Sequence, residues 1–135
     1  GVCSDNRDFA RFIDDRMIRG NPYSRNSPWL RSLPEHDAKL TRSGDIRTHP
    51  TWTIETGETC LVASWSALEE PIVGPPTIHE EIVFTIFFFA GEASIGLNGH
   101  KVAGDPYPNA AWSQNLGSPH SSCVFALAET MVSAE

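Results

Sequence analysis

Ile78-His-Glu-Glu-Ile-Val-Phe-Thr-Ile-Phe-Phe-Phe-Ala90 is the most apolar run in the chain, and its reading decides the fold. As a strand it sends Ile82, Phe84, Ile86 and Phe88 to one side and Val83, Thr85, Phe87 and Phe89 to the other. Both sides are apolar. One therefore meets a core, and the other meets a helix layer, a second sheet or a partner subunit, because native proteins avoid leaving such a strand bare. Charge at Glu81 and Glu92 leaves the run too short for a bilayer, which takes about 20 apolar residues. Two β-rich runs come before it. Thr51-Trp-Thr-Ile-Glu-Thr56 stops at Gly57, and Cys60-Leu-Val-Ala-Ser-Trp-Ser-Ala-Leu68 starts just beyond, which is hairpin spacing. Ala90-Gly91-Glu92 reads as a turn into a weaker run, Ser94 to Leu97, broken by Gly96.

Outside this sheet the signals are helical. Ser4 to Asn21 reads as a first helix capped by Ser4 or Asp5, with Phe9, Phe12, Ile13 and Met17 at helical spacing and Gly20 closing it. A strand over Ala10 to Ile18 is the rival reading. Ser27-Pro28 is an N-cap followed by Pro at the first helical position, opening a short helix through Trp29, Leu30 and Leu33. Ser43-Gly44-Asp45 is a turn in a polar stretch, and Ala103 to Asn109 is a breaker-rich loop. Ser121 or Ser122 caps a final helix through Val124, Leu127, Ala128 and Met131.

A chain of 135 residues is expected to form a single domain, 1–135, with a core of its own. Its 40% apolar and 20% charged residues are those of a soluble globular protein. The net charge of −7 argues against nucleic acid, whose affinity rests on clustered Lys and Arg. Neither a signal peptide nor a membrane span is visible, so a cytoplasmic protein with no membrane partner is the default expectation. The cysteines Cys3, Cys60 and Cys123 give no C-x-x-C pair and hence no zinc pattern. Cys60 fits a small core residue, and a bridge between Cys3 and Cys123 is left open.

No strong catalytic motif is present, and Gly96-Leu-Asn-Gly99 is a turn rather than a phosphate cradle. The candidates are polar residues set in apolar sequence. His79 and Glu81 share a strand face, and a carboxylate held against Phe and Ile would have its ionised form disfavoured, which suits acid or base work. Exposed charge at a strand end is the plain alternative, and metal binding lacks a third ligand. His49, before Pro50, is a candidate acid/base beside the walls Trp52 and Trp65. Asp105, before Pro106-Tyr107, stands in the same position at another strand end.

The order of elements is similar to the nuclear transport factor 2-like cone fold. Trp52-Thr-Ile-Glu-Thr-Gly-Glu-Thr-Cys-Leu-Val-Ala-Ser-Trp65 resembles the hairpin of its polyketide-cyclase (SnoaL-like) group, and Glu80-Glu-Ile-Val-Phe-Thr-Ile-Phe-Phe-Phe-Ala-Gly-Glu92 resembles that group's closing strand. The likeness covers roughly residues 22–100. It implies an α+β fold, a curved antiparallel sheet with N-terminal helices forming a cone-shaped pocket. It also implies a homodimer and a cofactor-free isomerase, cyclase or dehydratase of secondary metabolism. Standing at strand ends in apolar surroundings, His49, Glu81 and Asp105 are the residues expected to act as acid and base. Arg25 and Tyr107 would be auxiliary donors, with His79, Trp52, Trp65 and Phe87 around an apolar polycyclic or aromatic substrate. A non-catalytic ligand-binding or dimerisation domain of the same fold is the alternative.

Overall fold

In a computed structural model, the structure describes residues 2–15, 34–74, 77–78, 81–105, 114 and 124–130; for 77–78, 81–84 and 124–130 the description is of the backbone. Helix and sheet are mixed, with a curved, mostly antiparallel and unclosed sheet and one short α-helix among the described residues. The strands are β1 (Val2–Ser4), β2 (Glu35–Asp37), β3 (Lys39–Ser43), β4 (Thr51–Thr56), β5 (Thr59–Leu68), β6 (Ile72–Val73), β7 (Thr77–Ile78), β8 (Glu81–Leu97), β9 (His100–Lys101) and β10 (Val124–Thr130). The helix α1 is Arg7–Phe12.

The large sheet runs in the order β10-β8-β5-β4-β3. The hairpin expected from the two β-rich runs is β4–β5, turning on Gly57-Glu58 with Thr56 opposite Thr59. Gly57 has φ +49°, the left-handed value that a two-residue hairpin turn asks of its first central residue. The long apolar run is an interior strand of the sheet, paired along both edges. β10 pairs with Val83 to Phe89 on one edge. The other edge takes β5, β6 and β7 end to end, from Leu61 opposite Leu97 to Ile78 opposite Glu81.

The turn expected at Ala90-Gly91-Glu92 is absent, because β8 continues unbroken for 17 residues and swallows the weaker fourth run. Hydrogen bonding to β5 holds the backbone extended there, and Gly91 matters for space instead: a Cβ on it would lie 3.3 Å from the Ala67 methyl. The final helix is instead β10, since a segment with alternating Val124, Ala126 and Ala128 gains more from completing the edge of β8 than from its own helical propensity. The first helix starts later, at Arg7, because Ser4 is spent in β1. Asn6 caps it, with its side chain accepting from Phe9 N at 3.0 Å. Helical backbone at Ala10 to Phe12 also removes the rival strand. The helix expected at Ser27-Pro28 lies outside the described residues. Cys3 and Cys60 are free thiols.

The core gathers at the middle of β8, where Phe89 and Ala90 are fully buried and Thr85 nearly so. Beside them Gly74 yields its side-chain space to the Phe87 ring, whose Cε2 would lie 2.6 Å from a Cβ there. One register feature stands out along this edge. Leu68 pairs with Ala90 but Ile72 pairs with Phe87, so three residues on the β5–β6 side oppose two on β8. That is a β-bulge, bridged by Glu69 N donating to Phe89 O at 2.9 Å. It keeps Ile72 on the buried side with Phe87 and sends Val73, 73% exposed, out beside Ile86.

The N-terminal segment is tied on by charge. Parallel pairing of β1 with β2 is flanked by a forked contact in which Arg7 donates Nε to Asp37 Oδ1 at 2.7 Å and Nη2 to Oδ2 at 2.6 Å. Chiefly through that hydrogen bond, the Asp37 carboxyl is held below its ordinary range and the Arg7 guanidinium above its own. A depressed carboxyl contributes stability above its unfolded value and loses it as pH falls through the folded one. Acidification below the ordinary Asp range is therefore expected to loosen β1 and α1. In amide hydrogen exchange the Asp37→Asn variant should already be loosened at neutral pH, and equal protection in both proteins would refute the coupling.

Candidate functional site

Strand alternation gives the β4–β5–β8 region two unlike faces. Thr51 opposes Ser64, Ser64 opposes Ser94, and Ser66 opposes Glu92, which makes one face hydroxyl-rich. Trp52 opposes Ala63 and Trp65 opposes Ala93, so the other face is apolar. The polar alternation Thr51, Thr53 and Ser64, Ser66 is the sequence signal for this site, and it lies in residue types other than His and carboxylates.

An open cleft of about 550 Å³ lies at the hydroxyl-rich region, lined by Thr51, Ser64, Ser66, Glu92 and Ser94 from the strands and by His49, Lys101 and Asp105 from the segments beside them. Trp65, Gly91 and Ala93 complete the lining. This size is typical of small-molecule sites.

His49 is delivered by a tightly folded loop. Gly44 has φ +74°, and the His49 carbonyl oxygen packs where a Cβ of residue 44 would stand. Asp45 closes the turn: its carbonyl accepts from Thr48 N at 3.1 Å and His49 N at 2.9 Å, and its side chain accepts from Arg47 N at 2.8 Å. Pro50 is fully buried, and its carbonyl accepts from Trp65 N at 3.1 Å, which anchors the loop to β5. The imidazole is exposed, with Nδ1 2.7 Å from Thr48 Oγ1. That contact occupies one ring nitrogen and leaves Nε2 for exchange with a ligand.

Glu92 is also oriented, since Ser66 donates Oγ to its Oε2 at 2.7 Å. Thr51 Oγ1 and Ser64 Oγ lie 3.0 Å apart, and either can donate. Lys101 arrives through the tight turn Asn98-Gly99, whose φ values of +50° and +82° are those of the Asn-Gly hairpin turn joining Leu97 to His100. Val102 N donates to Ile95 O at 2.8 Å and carries the chain on toward Asp105, which is exposed.

Of the residues expected from sequence, the cleft brings together His49, Asp105 and Trp65. Trp52 lies edge to face with Trp65, at 5.6 Å between rings and 86° between planes, and does not line the cleft. Phe87, half-buried over Gly74, and Glu81, paired with Ile78, belong to the other half of β8. Arg25, His79 and Tyr107 lie outside the described residues. Glu92 and Lys101 were missed. The first was read as part of a turn, and the second sits on a two-residue strand too short to register as a pattern.

Among the described residues no three His, Cys, Asp or Glu side chains come together as a metal site. Nor is any helix among them long and apolar enough to cross a membrane. Comparison with family models, with curated proteins and with solved structures finds no match for this chain.

Proposed function

We propose that the chain is a small-molecule protein whose cleft performs proton transfer without a cofactor, as an isomerase or dehydratase would. The observation that supports this reading is the convergence of His49 with two carboxylates, Glu92 and Asp105, and one ammonium, Lys101, around a single cleft. Glu92, oriented by Ser66, takes a proton from a carbon next to a carbonyl. Lys101 and the hydroxyls steady the oxyanion that develops, and His49 returns a proton to the neighbouring atom. In the cone-fold reading this cleft is the sheet wall of the pocket. The apolar polycyclic substrate suits it less than a polar one, because hydroxyl and charged side chains dominate the lining and of the two tryptophans only Trp65 reaches it. The test is solvent-deuterium incorporation into dihydroxyacetone and small aldoses, followed by NMR. Exchange above the protein-free rate is expected, falling about 10²-fold in His49→Gln and in Glu92→Gln. A wild-type protein that exchanges no proton in any of them retires the acid/base reading.

A second reading, a dimerisation domain, is favoured by the apolar face. Leu40, Ile95 and Leu97 are 41%, 47% and 43% exposed there, beside Trp52 and Trp65. In this reading a second copy packs on that face, as the family resemblance implies for the outer side of the sheet. Sedimentation velocity over a dilution series should show a dimer that Leu97→Lys converts to monomer. Monomer at every concentration would end this reading and leave the cleft untouched.

A further inference from the structure

We infer that the cleft takes a small, uncharged, polyhydroxylated molecule, a monosaccharide or disaccharide in size and chemistry; the inference rests on the cleft being the small-molecule site proposed above. Thr51, Ser64 and Ser94 stand opposite one another on three adjacent strands, so their side chains form a row across strands spaced about 4.8 Å apart. A hydroxyl both donates and accepts, and it rotates to do either. Its natural complement is a ligand group that also does both. The 3.0 Å contact between Thr51 Oγ1 and Ser64 Oγ, in which either atom can be the donor, leaves the row free to adjust to the ligand's pattern.

The charged groups at the rim agree with an uncharged ligand. An anion would meet Glu92 and Asp105 against the single ammonium of Lys101, in a chain of net charge −7. A cation would meet Lys101, would find one oxygen of Glu92 already accepting from Ser66, and would gain little from the hydroxyl row. An apolar ligand would strip water from that row without replacing its hydrogen bonds. A neutral polyol satisfies all of them, giving hydroxyl protons to the carboxylates, receiving from Lys101, and exchanging both ways with Ser and Thr. The cleft volume of about 550 Å³ has room for one or two sugar rings.

The experiment is an amide-resolved NMR titration of the full chain with glucose, galactose, N-acetylglucosamine, maltose and cellobiose, and with spermidine, citrate and naphthalene sulfonate as charged and aromatic probes. At least one saccharide should shift the amides of Ser64, Glu92 and Ser94 saturably, with a millimolar midpoint. Ser64→Ala and Ser94→Ala, each lacking one ligand hydrogen bond, should raise that midpoint about fivefold while leaving the rest of the spectrum in place. Spermidine, citrate or naphthalene sulfonate shifting the same amides at lower concentration than every saccharide would overturn the ligand class and keep the cleft as a site. No saccharide response at those amides overturns the inference outright, and the deuterium-exchange test then decides the proton-transfer reading on its own.

Discussion

Replacing Phe89 with alanine is expected to remove about 3–5 kcal/mol of folding stability, the usual cost of emptying a fully buried aromatic site. The ring has no exposed surface and lies in the middle of β8, where the pairing partner along one edge changes from β5 to β6 and β10 begins on the other. A cavity at that position cannot be filled from one side without disturbing the strands on both. Against the roughly 5–15 kcal/mol that holds a domain together, the loss is large. Urea unfolding measures it directly, and Ile86→Ala three residues earlier serves as the comparison. Ile86 is 38% exposed on the opposite side of the strand, so its truncation should cost about 1 kcal/mol. Equal losses at the two positions would show that the middle of β8 is not the core.

Gly44→Ala should be the most damaging single change near the cleft, costing about 3 kcal/mol. Two effects add. A left-handed φ costs a non-glycine residue about 1–2 kcal/mol, and the new methyl also meets the His49 carbonyl oxygen, a backbone atom that cannot swing aside. Gly57→Ala separates the effects, because its φ is left-handed as well while nothing lies within 4 Å of the added Cβ. It should lose only about 1 kcal/mol. The readout is urea unfolding together with the NMR signals of the His49 ring, which should move in Gly44→Ala alone. Matching behaviour in the two variants would mean that the loop does not depend on this contact.

The sheet was readable where side-chain pattern and turn chemistry agree. Thr51 to Thr56 and the run after Gly57 carry β-branched residues on either side of a two-residue turn, and their ends match β4 and β5 to within a residue. The interior place of residues 82–89 in the sheet agrees with their two apolar sides. Pattern failed where long-range pairing decides the outcome. Gly91 looks like a stop from its neighbours alone, yet hydrogen bonds from β5 carry the strand through it, and residues 124–130 look helical until the free edge of β8 is in view. The cleft was half legible for the same reason. His49, Asp105 and Trp65 stand out locally, whereas Ser66 and Glu92 become a pair only when strands far apart in sequence are laid side by side.

The bulge between Leu68 and Ile72 bears on how the length of this chain can vary. With three residues opposing two, one is surplus to the ladder, so a chain shortened by one in the 69–71 segment can still place Ile72 opposite Phe87 and Val73 opposite Ile86. Adding a residue has no such outlet: the bulge must widen, or every side chain of β6 and β7 inverts between interior and solvent. Insertions and deletions are therefore unequal at this point. What the surplus residue supplies is twist, which bulges increase locally, next to the end of β5 that carries Ser66 toward Glu92. A shortened relative would keep its core and flatten its cleft.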